Sequence, residues 1–160
     1  MKVITRRALP SDADSISGLY LLARRAAAIA GTVPALVHDD DGVRRWVADR
    51  VVPSLECWIA DYSDRAMVGM LVLDQDWIDH LYVAPDLTGR EIGSELITVA
   101  KRERPAGLQL WTFVSNTGAQ RFYSQHGFRE LQRTDGSGNE ERAPDIHYAW
   151  QGPSPVLLSS

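Results

Sequence analysis

Apolar positions recur along this chain with two periods, and the switches between them mark out its elements. Lys2 to Ala8 predicts a short strand. Pro10-Ser11-Asp12 then opens a helix that runs to about Ala30. Ser11 is a favourable N-cap, Asp12 and Asp14 suit the positive end of the helix dipole, and Gly31 stops the run. Asp39-Asp40-Asp41 caps a second helix through about Val52, with Val43, Trp46, Val47 and Val51 as its apolar stripe and Arg44, Arg45 and Arg50 off it. Cys57 to Tyr62 and Met67 to Leu73 read as strands joined by the turn Ser63-Asp64-Arg65. Trp77 to Val83 is the next strand, ended by Pro85, which cannot donate to a ladder. Thr88 to about Arg104 is helical by the spacing of Ile92, Leu96, Val99 and Ala100, and Pro105 and Gly107 punctuate its end. A strand over Leu108 to Val114, a helix over Asn116 to His126 closed by Gly127, and a strand over Phe128 to Thr134 follow. Asp135 to Ala143 is a polar loop, Ile146 to Trp150 a last strand, and Gly152 to Ser160 a loose tail.

Three consecutive strands in the middle favour an antiparallel meander, and the later strand-helix-strand unit favours a parallel pair. The expected fold is a mixed α/β sheet, mostly antiparallel with one parallel pair, in one domain over residues 1–151 followed by a tail over 152–160. A length of 160 residues supports one domain with a proper core. A composition of 44% apolar and 24% charged residues is that of a soluble globular protein. A net charge of −4 argues against a general nucleic-acid binder, for which a basic excess is expected. Cys57 is the only cysteine, so neither an intramolecular disulfide nor a paired-cysteine zinc site is available. The first residues lack an apolar leader core, and no run approaches the about 18 apolar residues of a membrane span. The expected location is the cytoplasm, with no metal and no membrane partner.

The chemistry concentrates between Trp77 and Phe128. A strand feeds a glycine-bearing turn that opens a helix, and a helix N-terminus is a ready anion site because its first amides have no partner within the helix. A second strand and helix then bring in Tyr123. The unit reads as one that holds a phosphate-bearing ligand beside a phenolic proton donor.

Leu81-Tyr-Val-Ala-Pro, then Gly89-Arg-Glu-Ile-Gly-Ser, then Asn116-x-x-Ala119-x-x-Phe122-Tyr123-x-x-x-Gly127-Phe128 resembles the GNAT superfamily of N-acetyltransferases. The element order fits that fold as well: a central, mostly antiparallel sheet with a parallel pair splayed at the cofactor site and helices on both faces. The resemblance implies acetyl-CoA as donor and a primary amine as acceptor, with direct transfer in a ternary complex. It implies that Leu81, Tyr82 and Val83 bind the pantetheine arm through their backbone, and that Gly89, Arg90, Glu91, Ile92, Gly93 and Ser94 wrap the pyrophosphate. Asn116 would contact the cofactor, and Tyr123 would sit near the sulfur. A bulge in the Leu81 strand would free its amides. Dimers are frequent in the family, and the final strand could pair across an interface.

Tyr123 is the candidate acid, because a phenol with a pKa of about 10 is protonated at pH 7 and can hand a proton to a thiolate. Asp79 is the candidate base. It lies two residues before Leu81, so alternation puts both on one face, and its pKa must be raised for the task. A carboxylate paired with an arginine at the cleft edge is the competing reading. Trp111 stands where some relatives carry a strand glutamate. His80 falls on the other face as a structural or exposed residue, and His126 is expected to be solvated.

The phosphate turn departs from the usual Gln/Arg-x-x-Gly-x-Gly/Ala pattern, with Thr88, Glu91 and Gly93 at its fixed places. Thr88-Gly-Arg-Glu91 also reads as a capping box, closing in the free protein and opening on cofactor binding. For the acceptor, Asp135, Glu140, Glu141 and Asp145 would form an acidic rim suited to a cationic amine. Trp46, Trp58, Trp77 and Trp111 would line an apolar slot. Arg24, Arg25, Arg44 and Arg45 would suit an anionic acceptor equally well. A small-molecule amine, a protein amine and a non-catalytic acyl-CoA-binding role are all open at this level.

Overall fold

A computed structural model describes residues 2–89 and 91–153. Its centre is a seven-stranded sheet in the order β1-β2-β3-β4-β5-β7-β6. The strands are β1 (Val3–Arg7), β2 (Glu56–Tyr62), β3 (Arg65–Asp74), β4 (Trp77–Val83), β5 (Gly107–Phe113), β6 (Arg129–Thr134) and β7 (Asp145–Gln151). All neighbours run antiparallel except β4 and β5, the parallel pair expected from the strand-helix-strand unit. β7 lies between β5 and β6, so the final strand has no free edge for a partner; β1 and β6 are the edge strands.

Helices cover both faces. On one face lie α1 (Ala13–Ile29) and α2 (Asp40–Trp46), the latter continuing through one π turn (Val47–Val51) into α3 (Val52–Ser54). Asp39 caps α2 as expected, accepting from the Gly42 amide at 2.7 Å. Ser11 is not the cap of α1. Asp12 stands at that position without a side-chain cap bond to the helix, its carboxylate instead accepting from the Leu9 amide at 2.7 Å and from Arg6 at 2.9 and 3.1 Å.

On the other face lie α4 (Ile92–Glu103) and α5 (Thr117–Gln125). Ile92, Leu96, Val99 and Ala100 of α4 are buried as the spacing predicts. Gly69 of β3 lets this helix come close, since a Cβ there would stand 2.9 Å from Ile92 and 3.0 Å from Leu96. One apolar cluster joins the sheet to both layers, from Ile16 and Leu21 of α1 through Ile59 and Leu71 to Leu96 and Ile146.

Candidate active site

Two features of β4 shape the site. The first is a bulge. Val72 pairs with His80 and Leu73 with Ile78, so Asp79 is an extra residue opposite nothing on β3. The second is a splay. The β4–β5 ladder has a single rung, Trp77 with Gln109, reinforced by the Gln109 amide on the Asp76 carbonyl (2.9 Å) and the Gln109 side chain on the Asp76 carboxylate (2.8 Å). Beyond that rung the β5-facing edge of β4 has no strand partner among the described residues. Leu81, Tyr82 and Val83 lie on this stretch.

The bulge falls on Asp79 itself, so strict alternation does not fix the face its carboxylate takes, and His80 and Tyr82 turn their rings to α1. Tyr20 meets His80 edge-on at 5.4 Å and Tyr82 at 5.3 Å, and Trp46 of α2 meets His80 at 5.3 Å. His80 is thus packed among aromatic rings, the structural one of its two expected places. Burial first, and Arg24 second, push its pKa down to about 4, so the ring is neutral at pH 7. Asp79 keeps solvent contact, yet loss of hydration and then the neighbouring Asp74 push its carboxyl up to about 6. No arginine pairs with it among the ion pairs of the described residues.

Tyr123 projects from α5 and is buried, with Phe122 at 5.2 Å and Phe128 at 5.4 Å, both edge-on. Burial, and then Tyr82, raise its phenol above the ordinary value, which keeps the proton on through neutral pH. Asn116 is the N-cap of α5, its Oδ1 accepting from the Ala119 amide at 3.1 Å.

The turn before α4 is not a capping box. The helix begins at Ile92, and its N-cap is Glu91 in the left-handed conformation (φ 67°) with no side-chain cap bond. Thr88 Oγ1 donates instead to the Pro85 carbonyl at 3.4 Å. The chain first makes a 3₁₀ turn over Pro85–Leu87, then passes Gly89 at φ 80°. Two positive φ values in this stretch cannot belong to a first helical turn, so no reciprocal Thr88–Glu91 pair forms. The Glu91 residue is exposed, and Arg90 lies outside the described residues. Gly93 has a packing reason, because a Cβ there would sit 3.2 Å from the Phe122 ring. Ser94 Oγ is 3.1 Å from His126 Nε2, and His126 also packs against Phe122, so it is half-buried rather than solvated.

A cavity of about 420 Å³ opens between α1, α2, β4 and the β6–β7 loop. Tyr20, Trp46 and His80 wall it, with Arg24 on one side and Glu140 and Glu141 on the loop. The acidic rim is therefore narrower than expected. The Asp135 carboxylate accepts from the Ser137 amide at 2.9 Å, and Asp145 at the start of β7 accepts from Thr134 and Asn139 at the base of the loop. The tryptophans do not form one slot. Trp58 lies under Arg7 and Arg102, while Trp77 and Trp111 form a near-parallel stacked group with His147. Only Trp46 reaches this cavity.

The fold and the opened strand now meet the comparisons with known proteins. Residues 53–130 match the family model described as an acetyltransferase (GNAT) domain. This stretch, just under half of the chain, is similar to the GNAT superfamily. Over 84 residues it is 31% identical to the peptidyl-lysine N-acetyltransferase YjaB of Salmonella typhimurium, covering 52% of this chain and 57% of that one. It is 33% identical to an uncharacterized N-acetyltransferase of Methanocaldococcus jannaschii over 84 residues, 43% of this chain and 37% of the relative. The chain spans about half the length of the curated relatives it matches. The apo-form solution structure of YjaB from Escherichia coli superposes with a TM-score of 0.74 at 20% identity, covering 96% of this chain and 100% of that one. The PaiA N-acetyltransferase of Thermoplasma acidophilum, in complex with coenzyme A, gives 0.69 at 16% identity, with 94% and 99% covered. These two likenesses establish the GNAT fold, a seven-stranded sheet opened at its parallel pair.

Proposed function

We propose that this chain is an acetyl-CoA-dependent N-acetyltransferase that acetylates a primary amine of a small molecule by direct attack in a ternary complex. The observation that carries the reading is the opening of the sheet at Asp79. One β4 edge is left without a strand partner there, and the aromatic cavity meets the same strand at His80.

The unpaired edge fits an extended acyl-pantetheine arm, which needs a row of backbone donors and acceptors. Leu81, Tyr82 and Val83 would hold that arm. Gly89, Arg90, Glu91, Ile92, Gly93 and Ser94 would border the phosphates at the α4 N-terminus, with Asn116 alongside. Acetyl-CoA would bring an activated thioester carbonyl to this gap. The freed β4 amides polarise a carbonyl oxygen placed against them. Asp79 accepts a proton from the incoming amine, since a carboxyl with a pKa of about 6 is mostly ionised at pH 7 and far more basic than an ordinary aspartate. Tyr123 Oη gives a proton to the leaving sulfur.

A cavity of about 420 Å³ is in the range that small molecules fill, which supports a small-molecule acceptor. A second reading, a protein lysine as acceptor, is favoured by the name of the Salmonella relative. The test is a free-thiol assay with acetyl-CoA against a panel of small amines, run beside lysine-containing peptides. Turnover with free amines supports the first reading, and turnover with peptides alone replaces it by the second. Calorimetric acetyl-CoA binding with no turnover on either would leave a non-catalytic acyl-CoA-binding protein.

A further inference from the structure

Arg24 is the one cation of this cavity that is taken out of water. It is 5% exposed and lines the space directly. Two other arginines of the N-terminal helices are spent on the surface: Arg25 pairs with Asp40, and Arg44 with Asp14 at 2.5 Å. Arg24 is only partly matched. Its Nη2 donates to the Pro34 carbonyl at 3.2 Å, and the guanidinium reaches the Tyr82 phenol. The nearest carboxylate, Glu141, stands 3.8 Å away, beyond hydrogen-bond reach. The Nε–H is buried with no acceptor among the described residues. A buried guanidinium with an idle donor is rare in a finished structure and common in one that awaits an anion.

The rest of the lining limits which anion. Glu140 and Glu141 share the cavity, and Glu140 faces His38 at 3.2 Å. Two carboxylates nearby penalise a doubly charged phosphate more than a singly charged group. The guanidinium edge also matches the two oxygens of a carboxylate. His80, which lines the same cavity, adjoins the Asp79 bulge, where an amine must arrive to react. Tyr20 and Trp46 provide flat apolar surface for the atoms between.

We propose that the acceptor carries a carboxylate as well as its amine, an amino acid or a close analogue, with the carboxylate held by Arg24 in this cavity. The inference rests on the transferase reading above and narrows its substrate class.

The test compares α- and ω-amino acids with their carboxamides, which keep the amine and side chain and lose only the negative charge. With saturating acetyl-CoA, the native protein should show kcat/KM at least about tenfold higher for the best amino acid than for its amide, the effect of one hydrogen-bonded charge. Calorimetry of that amino acid into the protein–coenzyme A complex should give binding that the amide lacks. Arg24→Gln should bring the ratio to about one, with coenzyme A affinity reporting that the variant is folded. Glu141→Gln should lower KM for the amino acid and leave KM for the amide where it was. Should Arg24→Gln fail to fold, the native amino acid/amide ratio still decides. Amides accepted as well as or better than the acids overturn the carboxylate role and leave the transferase reading standing. Coenzyme A binding with no acceptor of either kind turned over or bound overturns it too. Absence of both acetyl-CoA binding and turnover overturns the transferase reading with it.

Discussion

On the α4 side of β4, Val83 packs toward Gly93 and the Phe122 ring, and Tyr123 closes the layer with Phe128. On the α1 side of the same strand, His80 and Tyr82 meet Tyr20, Trp46 and a buried arginine. The first side is apolar and offers mainly backbone, apart from one phenol. The second is built of polar side chains held out of water. One bulged strand thus separates two tasks. Its unpaired edge suits a ligand read through the main chain, and its α1 face suits a ligand read through side chains. The contrast predicts that mutations on one side change chemistry and donor use, while mutations on the other change acceptor affinity.

The largest expected effect tests the phenol. Tyr123→Phe keeps the ring between Phe122 and Phe128 and removes only the hydroxyl. Loss of a general acid should lower kcat by about 10²- to 10⁴-fold. Calorimetric acetyl-CoA affinity should hold. A drop in affinity with kcat preserved would make Tyr123 a packing residue and erase its difference from its neighbours.

Next comes Asp79, the residue between the two sides. A base must be ionised to act, so kcat/KM should rise with pH up to about 6 and level off above it, falling about tenfold per unit on the acid side. Asp79→Asn should cost about 10²-fold at pH 7 and remove that acid limb. A bend that stays near pH 6 in the variant would assign the limb to another group.

The donor side was largely legible in the sequence and the acceptor side was not. The strand-turn-helix order and the helix from Asn116 follow from local spacing, because a glycine turn or a helix start is a property of a few adjacent residues, while Tyr123 was marked by the family resemblance. Asp79 was singled out, but not as the inserted residue: a bulge depends on the register between β3 and β4, which neither strand records alone. His80 was left between a structural and an exposed place, and only the packing of Tyr20 and Trp46 around it decides for the first. Arg24 stood in the sequence as one of four equivalent arginines. What singles it out is burial beneath Pro34 and Tyr82, contacts across ten and fifty-eight residues of chain. The tryptophans misled for the same reason, since an aromatic count says nothing about which of three separate surfaces each ring joins.

A smaller effect probes the acceptor side without touching the chemistry. Trp46 lines the cavity and is 36% exposed, so its ring is available to a ligand. Trp46→Ala should raise the acceptor KM about tenfold through lost apolar contact, with acetyl-CoA affinity unchanged. Equal changes in donor and acceptor binding would mean that the two sides of β4 do not act separately.

The smallest effect is the most diagnostic for the donor side. Glu91 stands where the family motif has glycine, and its backbone has kept the glycine conformation, at φ 67°. A Cβ in that conformation costs about 1 kcal/mol or slightly more. Its carboxylate offers no compensating cap bond and adds negative charge at a helix end suited to anions. Glu91→Gly removes the Cβ conflict and the charge together, while adding about 0.5–1 kcal/mol of unfolded-state entropy. The net stability change should therefore lie within about 1 kcal/mol, read by denaturant unfolding. Acetyl-CoA affinity should rise up to about fivefold at low salt, the size of one exposed charge at a helix terminus, and the gain should shrink as ionic strength increases. Glu91→Ala divides the two contributions, because it discards the charge and keeps the Cβ. It should match the glycine variant in affinity and bring none of its backbone relief. If only the glycine variant binds more tightly, the turn is limited by its backbone shape, and the departure from the motif is a conformational one rather than an electrostatic one.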